Sequence, residues 1–173
     1  PDSPGSILNG LFDPNQTTSV AGYIFNEFKF SNTLKAQIAG RIESTKVSGS
    51  AIDFPSGAFD IAGLSPSTAR DRNFASKSIS FGLIKNLPWE MAASLTAQYV
   101  ERAPRAPELF SRGVHDATGT FDIGNPNLKT EVAKSIEVGL RRAKGPFRFE
   151  VTAYYTRFDG FIFRQLTGAR CND

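Results

Sequence analysis

One cysteine, Cys171, and one histidine, His115, occur in 173 residues. A lone thiol cannot build an internal disulfide framework or hold a structural zinc by itself. Cys171 is therefore expected to be a free thiol or half of a pair completed beyond Asp173. No apolar run approaches the ~18 residues that a membrane helix requires, which excludes a helical span and leaves crossing by strands open. Lysine and arginine form no block, and a formal net charge of +3 is too small to mark a nucleic-acid tract, so no nucleic acid is expected among the partners. Phosphate loops, paired zinc motifs and dinucleotide fingerprints are missing too. The chain opens Pro1-Asp2 without an initiator methionine or signal peptide, and is expected to be a processed or excised piece.

Phenylalanine, by contrast, is plentiful: 15 residues, enough to demand a large apolar surface, either a core or a lipid-facing belt. The order of residues shows how that surface is laid out. In "LKAQIAGRIES", Leu34, Ala36, Ile38, Gly40 and Ile42 oppose Lys35, Gln37, Ala39, Arg41 and Glu43, the period of a strand with one apolar and one polar side. The pattern returns in "MAASLTAQY", "VAKSIEVGL" and "FRFEVTAYY"; "FASKSISFGLI" follows it less cleanly, with Ala75, Ile79, Phe81 and Leu83 against Ser76, Ser78 and Ser80. Lys134 falls on the apolar side of its segment, near the end, where it can snorkel. "TSVAGYIFNEFKF" is less clean: Tyr23 and Phe25 share one parity, Ile24, Phe28 and Phe30 the other, which suggests a bulge near Asn26 or a partly covered strand. Six strands result.

Three connections are tight, at Ser31-Asn32, Asn86-Leu87-Pro88 and Ala143-Lys144-Gly145-Pro146. The other two are long, about 47–73 and 103–129. Short and long alternate, so every long loop falls at one end of the sheet. Together with polar/apolar alternation this describes an all-β, antiparallel, up-and-down wall of a transmembrane β-barrel. Six strands cannot close one, since the smallest single-chain barrels have eight, so the wall is expected to be partial. Phe28, Phe30, Trp89, Phe147 and Phe149 lie near the short turns, where an interfacial girdle would sit; the alternative is core packing. A soluble β-sandwich that binds a ligand or partner through the same loops is the competing architecture.

The stretch "RAPRAPELFSRGVHDATGTFDIGNPNLKTEVAKSIEVGL", followed by "FRFEVTAYYTRFDGFIF", resembles the late barrel region of the TonB-dependent outer-membrane receptors. The resemblance rests on Arg105-Ala106-Pro107-Glu108-Leu109-Phe110, Gly124-Asn125-Pro126-Asn127-Leu128, Glu131 and Glu137-x-Gly139, in that order and strand context. It implies a 22-stranded barrel in the bacterial outer membrane, closed by an N-terminal plug that is absent from residues 1–173. Cargo binds from outside and is released when the periplasmic TonB complex pulls on the plug. The partners implied are a scarce metal or metal chelate, the TonB complex through the missing plug, and outer-membrane lipid. The insertion His115-Asp116-Ala117-Thr118 looks most like the branch that takes up zinc or haem. No intrinsic cofactor is expected; zinc or haem would be bound as transported substrate.

Pro104, Pro107 and Pro126 cannot donate to a sheet ladder, so they end one strand and delay the next. The stretch between is read as an outward loop, where ligand contacts concentrate. His115 is the candidate metal ligand, with Asp116 and Asp122 as neighbours that could complete a coordination sphere. The bland reading is a surface loop histidine. Arg102, Arg105 and Arg112 form a basic cluster suited to the carboxylates or phosphates of a chelate or haem; the alternative is structural pairing with Glu101, Glu108 or Glu131. Lys35, Gln37, Arg41, Glu43, Glu131, Glu137, Arg148 and Glu150 would line the lumen and hold the plug. Catalysis has little support: no strand-fixed serine stands beside His115 to make an outer-membrane phospholipase.

Overall fold

The computed structural model describes residues 15–49, 70–115 and 119–166. Asp116, Cys171 and most of the first long connection lie outside them. Six strands form one antiparallel meander, β1 (Gln16–Lys29), β2 (Leu34–Gly49), β3 (Arg70–Leu87), β4 (Met91–Arg102), β7 (Glu131–Arg142) and β8 (Phe149–Asp159), paired in that order. Between β4 and β7 lie a short helix, α1 (Ala106–Phe110), and a hairpin of β5 (Arg112–His115) with β6 (Thr120–Ile123). The sheet is open, with β1 and β8 at its edges, and amounts to part of a barrel wall.

Antiparallel partners share a face, so the register sorts every side chain. Glu43 lies opposite Ser76, Ser78 opposite Val100, Arg102 opposite Glu131, and Arg141 opposite Glu150. That face collects the charged and hydroxyl residues. The other carries Ile24, Ile42, Ile79, Phe81, Ile136, Val138 and Val151, all between 40% and 71% exposed. In a sandwich such residues would be covered by a second sheet. Among the described residues nothing covers them, because the only other sheet, β5–β6, belongs to the connection that packs on the opposite face. Lipid is the medium that such a surface fits.

The height of the apolar band can be read along individual strands. Lys77 and Lys85 bracket it on β3, Lys134 and Arg142 on β7, with apolar residues between them on that face. The eight-residue spacing rises ~27 Å along a strand, or about 20 Å across a membrane at ~40° tilt, close to the known lipid-facing band. Below it, at the short-turn end, Phe28, Phe30, Trp89 and Phe147 are 47% to 75% exposed, as a girdle requires and a core does not.

Three sequence expectations change. β1 has no bulge: its pairing with β2 is continuous from Gln16↔Ser48 to Lys29↔Lys35. Its mixed pattern arises because Tyr23 and Phe25 point to the polar face. The strands bordering the first long connection run further than alternation suggested, β2 to Gly49 and β3 from Arg70, so that residues 70–77 pair with β2 alone and residues 70–75 stand above the end of β4. The described part of the stretch 103–129 is not a plain outward loop. It folds back over the polar face, where Ala106, Leu109 and Phe110 close with Val47 and Phe74 into a small buried core flanked by Ala103 and Leu128.

Candidate functional site

α1 begins where Pro107 can start a helix without wasting a donor. The Glu108 carboxylate turns back to accept the Arg105 backbone N–H at 2.8 Å, capping the first turn. The same carboxylate accepts two bonds from Arg102 Nη1, at 3.1 and 3.0 Å. Arg102 also donates through Nε and Nη2 to Glu131, at 3.2 and 3.4 Å, across the β4–β7 pair. Glu131 Oε2 in turn accepts the backbone N–H of Ile162 at 2.7 Å, from the segment after β8. One arginine and two glutamates thus clasp the folded-back cap, the wall and the next connection together.

Glu131 is 7% exposed. Burial on its own would raise its pKa, but the Arg102 guanidinium and the Ile162 amide outweigh that and hold it below the ordinary carboxylate range. For Arg102, partial burial works against the charge and the two glutamates more than compensate, so its pKa is raised.

The rest of the cap is held by close approach. Asn125 N–H donates to the Glu108 carbonyl at 2.9 Å and Gly124 N–H to the Ser111 carbonyl at 2.7 Å. A Cβ on Gly124 would meet Leu109 C and Phe110 N at 2.7 Å, so only glycine fits. Arg72 reaches from β3 to the Leu128 carbonyl at 2.8 Å and lies over the Phe74 ring.

The sequence-derived candidates divide accordingly. Arg102 is the clasp, the pairing alternative to ligand contact. Arg112 is buried, whereas Arg105 is exposed at the edge of a cleft of about 470 Å³ between the tops of β1–β3 and residues 101–107. Ser19, Glu43, Thr45 and Ser76 line the cleft's wall side. Ser19 and Thr45 hydroxyls bond at 3.0 Å, and Thr45 donates to Glu43 at 3.2 Å. The β5–β6 register, Gly113↔Asp122 and His115↔Thr120, puts His115 and Asp122 on one face of the hairpin. Asp122 is engaged by Thr120 and by Arg164, each at 3.3 Å. Among the described residues no three metal-binding side chains converge.

Sequence reasoning missed an aromatic ladder. Phe158, at the top of β8 on the polar face, meets Phe161 in a tilted pair and Phe161 stacks on Phe163, with ring centroids 5.0 and 5.9 Å apart. All three are about half exposed or more. The Arg164–Asp122 contact sets the ladder's far end against the hairpin that carries His115.

The family model described as "TonB dependent receptor-like, beta-barrel" matches residues 1–173. The chain belongs to the TonB-dependent receptors. The short-turn end of the wall is therefore periplasmic and the capped end extracellular, in the bacterial outer membrane, and the protein serves TonB-dependent transport. Within a TonB-dependent receptor the polar face is the lumen, so the cap, the cleft and the ladder all stand at the mouth through which cargo enters.

Proposed function

We propose that the cargo is a scarce metal carried as an organic chelate, haem or a ferric siderophore, in preference to a bare zinc ion. The observation that carries this reading is the ladder of Phe158, Phe161 and Phe163 beside the His115 hairpin. A bare ion gains nothing from phenyl rings, whereas a chelate offers an organic surface to stack on them. Arg105 supplies an exposed guanidinium for its carboxylates, and His115, with Asp116 and Asp122 as neighbours, supplies one imidazole for the metal. Arg102 serves by holding the cap in place. A 22-stranded barrel with an N-terminal plug, pulled by the TonB complex, completes the cycle of binding and release. The polar, charged mouth favours transport over a soluble sandwich.

The test is a titration of the full-length receptor in detergent with haem, a ferric siderophore and zinc. Sub-micromolar binding of one chelate, weakened roughly tenfold in Phe161→Ala/Phe163→Ala, is expected. Binding of zinc alone, lost in His115→Ala, would overturn the chelate reading.

A further inference from the structure

The outer face carries a feature that cargo capture does not use. On β4 the side chain of Ala97 is flanked by Phe81 on β3 and Ile136 on β7, its direct partners. A small side chain between two large ones leaves a furrow of about 510 Å³, walled almost wholly by carbon and continued by Ile79. At its extracellular end stand Tyr99, Lys134 and Arg157.

The top of the furrow is electrostatically unbalanced. Lys134 and Arg157 are direct cross-strand partners, an arrangement of like charges that costs stability unless it is compensated. Asp159 pairs with both, at 2.7 Å to Lys134 and 3.5 Å to Arg157. Glu101, which accepts the Tyr99 hydroxyl at 2.6 Å, stands at the same edge beside Lys77 of β3, so three cations face two carboxylates and one positive charge remains in excess. The Lys134 and Arg157 side chains stay more than half exposed. They lie on the lipid-facing side at the upper edge of the apolar band, at the depth of outer-leaflet headgroups.

We propose that this furrow seats an acyl chain of an outer-leaflet lipid whose phosphate is held by Lys134 and Arg157. Carbon walls as long as a few strand residues take the chain, and the excess cation takes the phosphate. Asp159 keeps the empty site stable and competes with the phosphate once lipid arrives. The site is independent of which cargo is imported.

The experiment uses the full-length receptor in nanodiscs of phosphatidylcholine doped with diphosphoryl lipid A. Lipid retained after detergent transfer is counted by native mass spectrometry, and folding is verified by heat-shifted electrophoretic migration. Lipid A retention is expected to fall roughly tenfold in Lys134→Gln/Arg157→Gln. It is expected to rise in Asp159→Asn, to fall in Ala97→Phe, which fills the furrow, and to hold in Lys85→Gln at the periplasmic edge. Equal retention by all variants, no preference over phosphatidylcholine, or a receptor dimer in place of bound lipid would overturn the proposal.

Discussion

The Glu131 carboxylate ties the segment after β8, through Ile162, to Arg102, the same arginine that holds the cap at Glu108, so its protonation state bears on how firmly the cap sits. Its pKa is lower in the closed cap than its ordinary value of 4.5. A depressed carboxylate contributes stability that is complete above the ordinary value and lost as pH falls through the lower, folded one. The cap is therefore expected to loosen only below about pH 4.5, read as faster backbone hydrogen exchange in residues 103–115 and 119–128 with the wall unaffected. Arg102→Ala is expected to cost about 2 kcal/mol in local opening, less than a fully buried pair because the guanidinium is a third exposed. Proteolysis of the cap under native conditions measures it. The sequence offered Glu101, Glu108 and Glu131 as alternative partners for the arginine cluster; Arg102 takes the last two together, while Glu101 accepts the Tyr99 hydroxyl. The Ile162 contact was not legible, since a backbone N–H leaves no mark on side-chain patterns.

For single elements, the fit of α1 against the segment before β7 is the tightest in the cap. Gly124→Ala must displace the Leu109–Phe110 backbone, at an expected cost of about 1–3 kcal/mol. Gly139→Ala on β7 meets the Ser94 hydroxyl at 2.6 Å and Thr152 at an ordinary 3.8 Å, and a side chain can rotate away. The first variant should lower cap protection strongly and the second little, which hydrogen exchange on the pair separates. Phe110→Ala empties the centre of the small core and is expected to cost about 3 kcal/mol locally. Alternation revealed five strands because each keeps one wet and one dry side. It failed where that rule changes. Tyr23 and Phe25 face the lumen, Val47 and Phe74 are buried under the cap, and α1 is a single turn or so, too short for a helical period to show.

The whole wall behaves as two surfaces back to back, and substitutions should divide by surface. Ile136→Lys places a charge within the lipid band and is expected to cost about 2–4 kcal/mol, seen as loss of heat-resistant folded barrel after refolding. Glu137→Lys, one residue along, faces the lumen and should leave folding nearly unchanged. Partial-barrel architecture was legible because loop lengths and strand parity are local quantities. The inward cap was not, since its core joins β2, β3 and α1 across tens of residues, and nothing in a loop's composition says which wall it will lie against.

The turn between β3 and β4 has a further consequence. Met91 N–H bonds the Pro88 carbonyl at 3.4 Å, and both central residues, Trp89 and Glu90, sit at positive φ, 60° and 58°. Such a turn ordinarily recruits Asn-Gly; two bulky residues there are disfavoured by roughly 1–2 kcal/mol each. A turn of that kind cannot nucleate its hairpin. It is closed by the ladder from Leu87↔Met91 to Ser78↔Val100, so during assembly the strands must find each other first and the corner must form last. Trp89→Asn/Glu90→Gly should reverse that order and speed refolding, while removing the indole that marks the periplasmic interface.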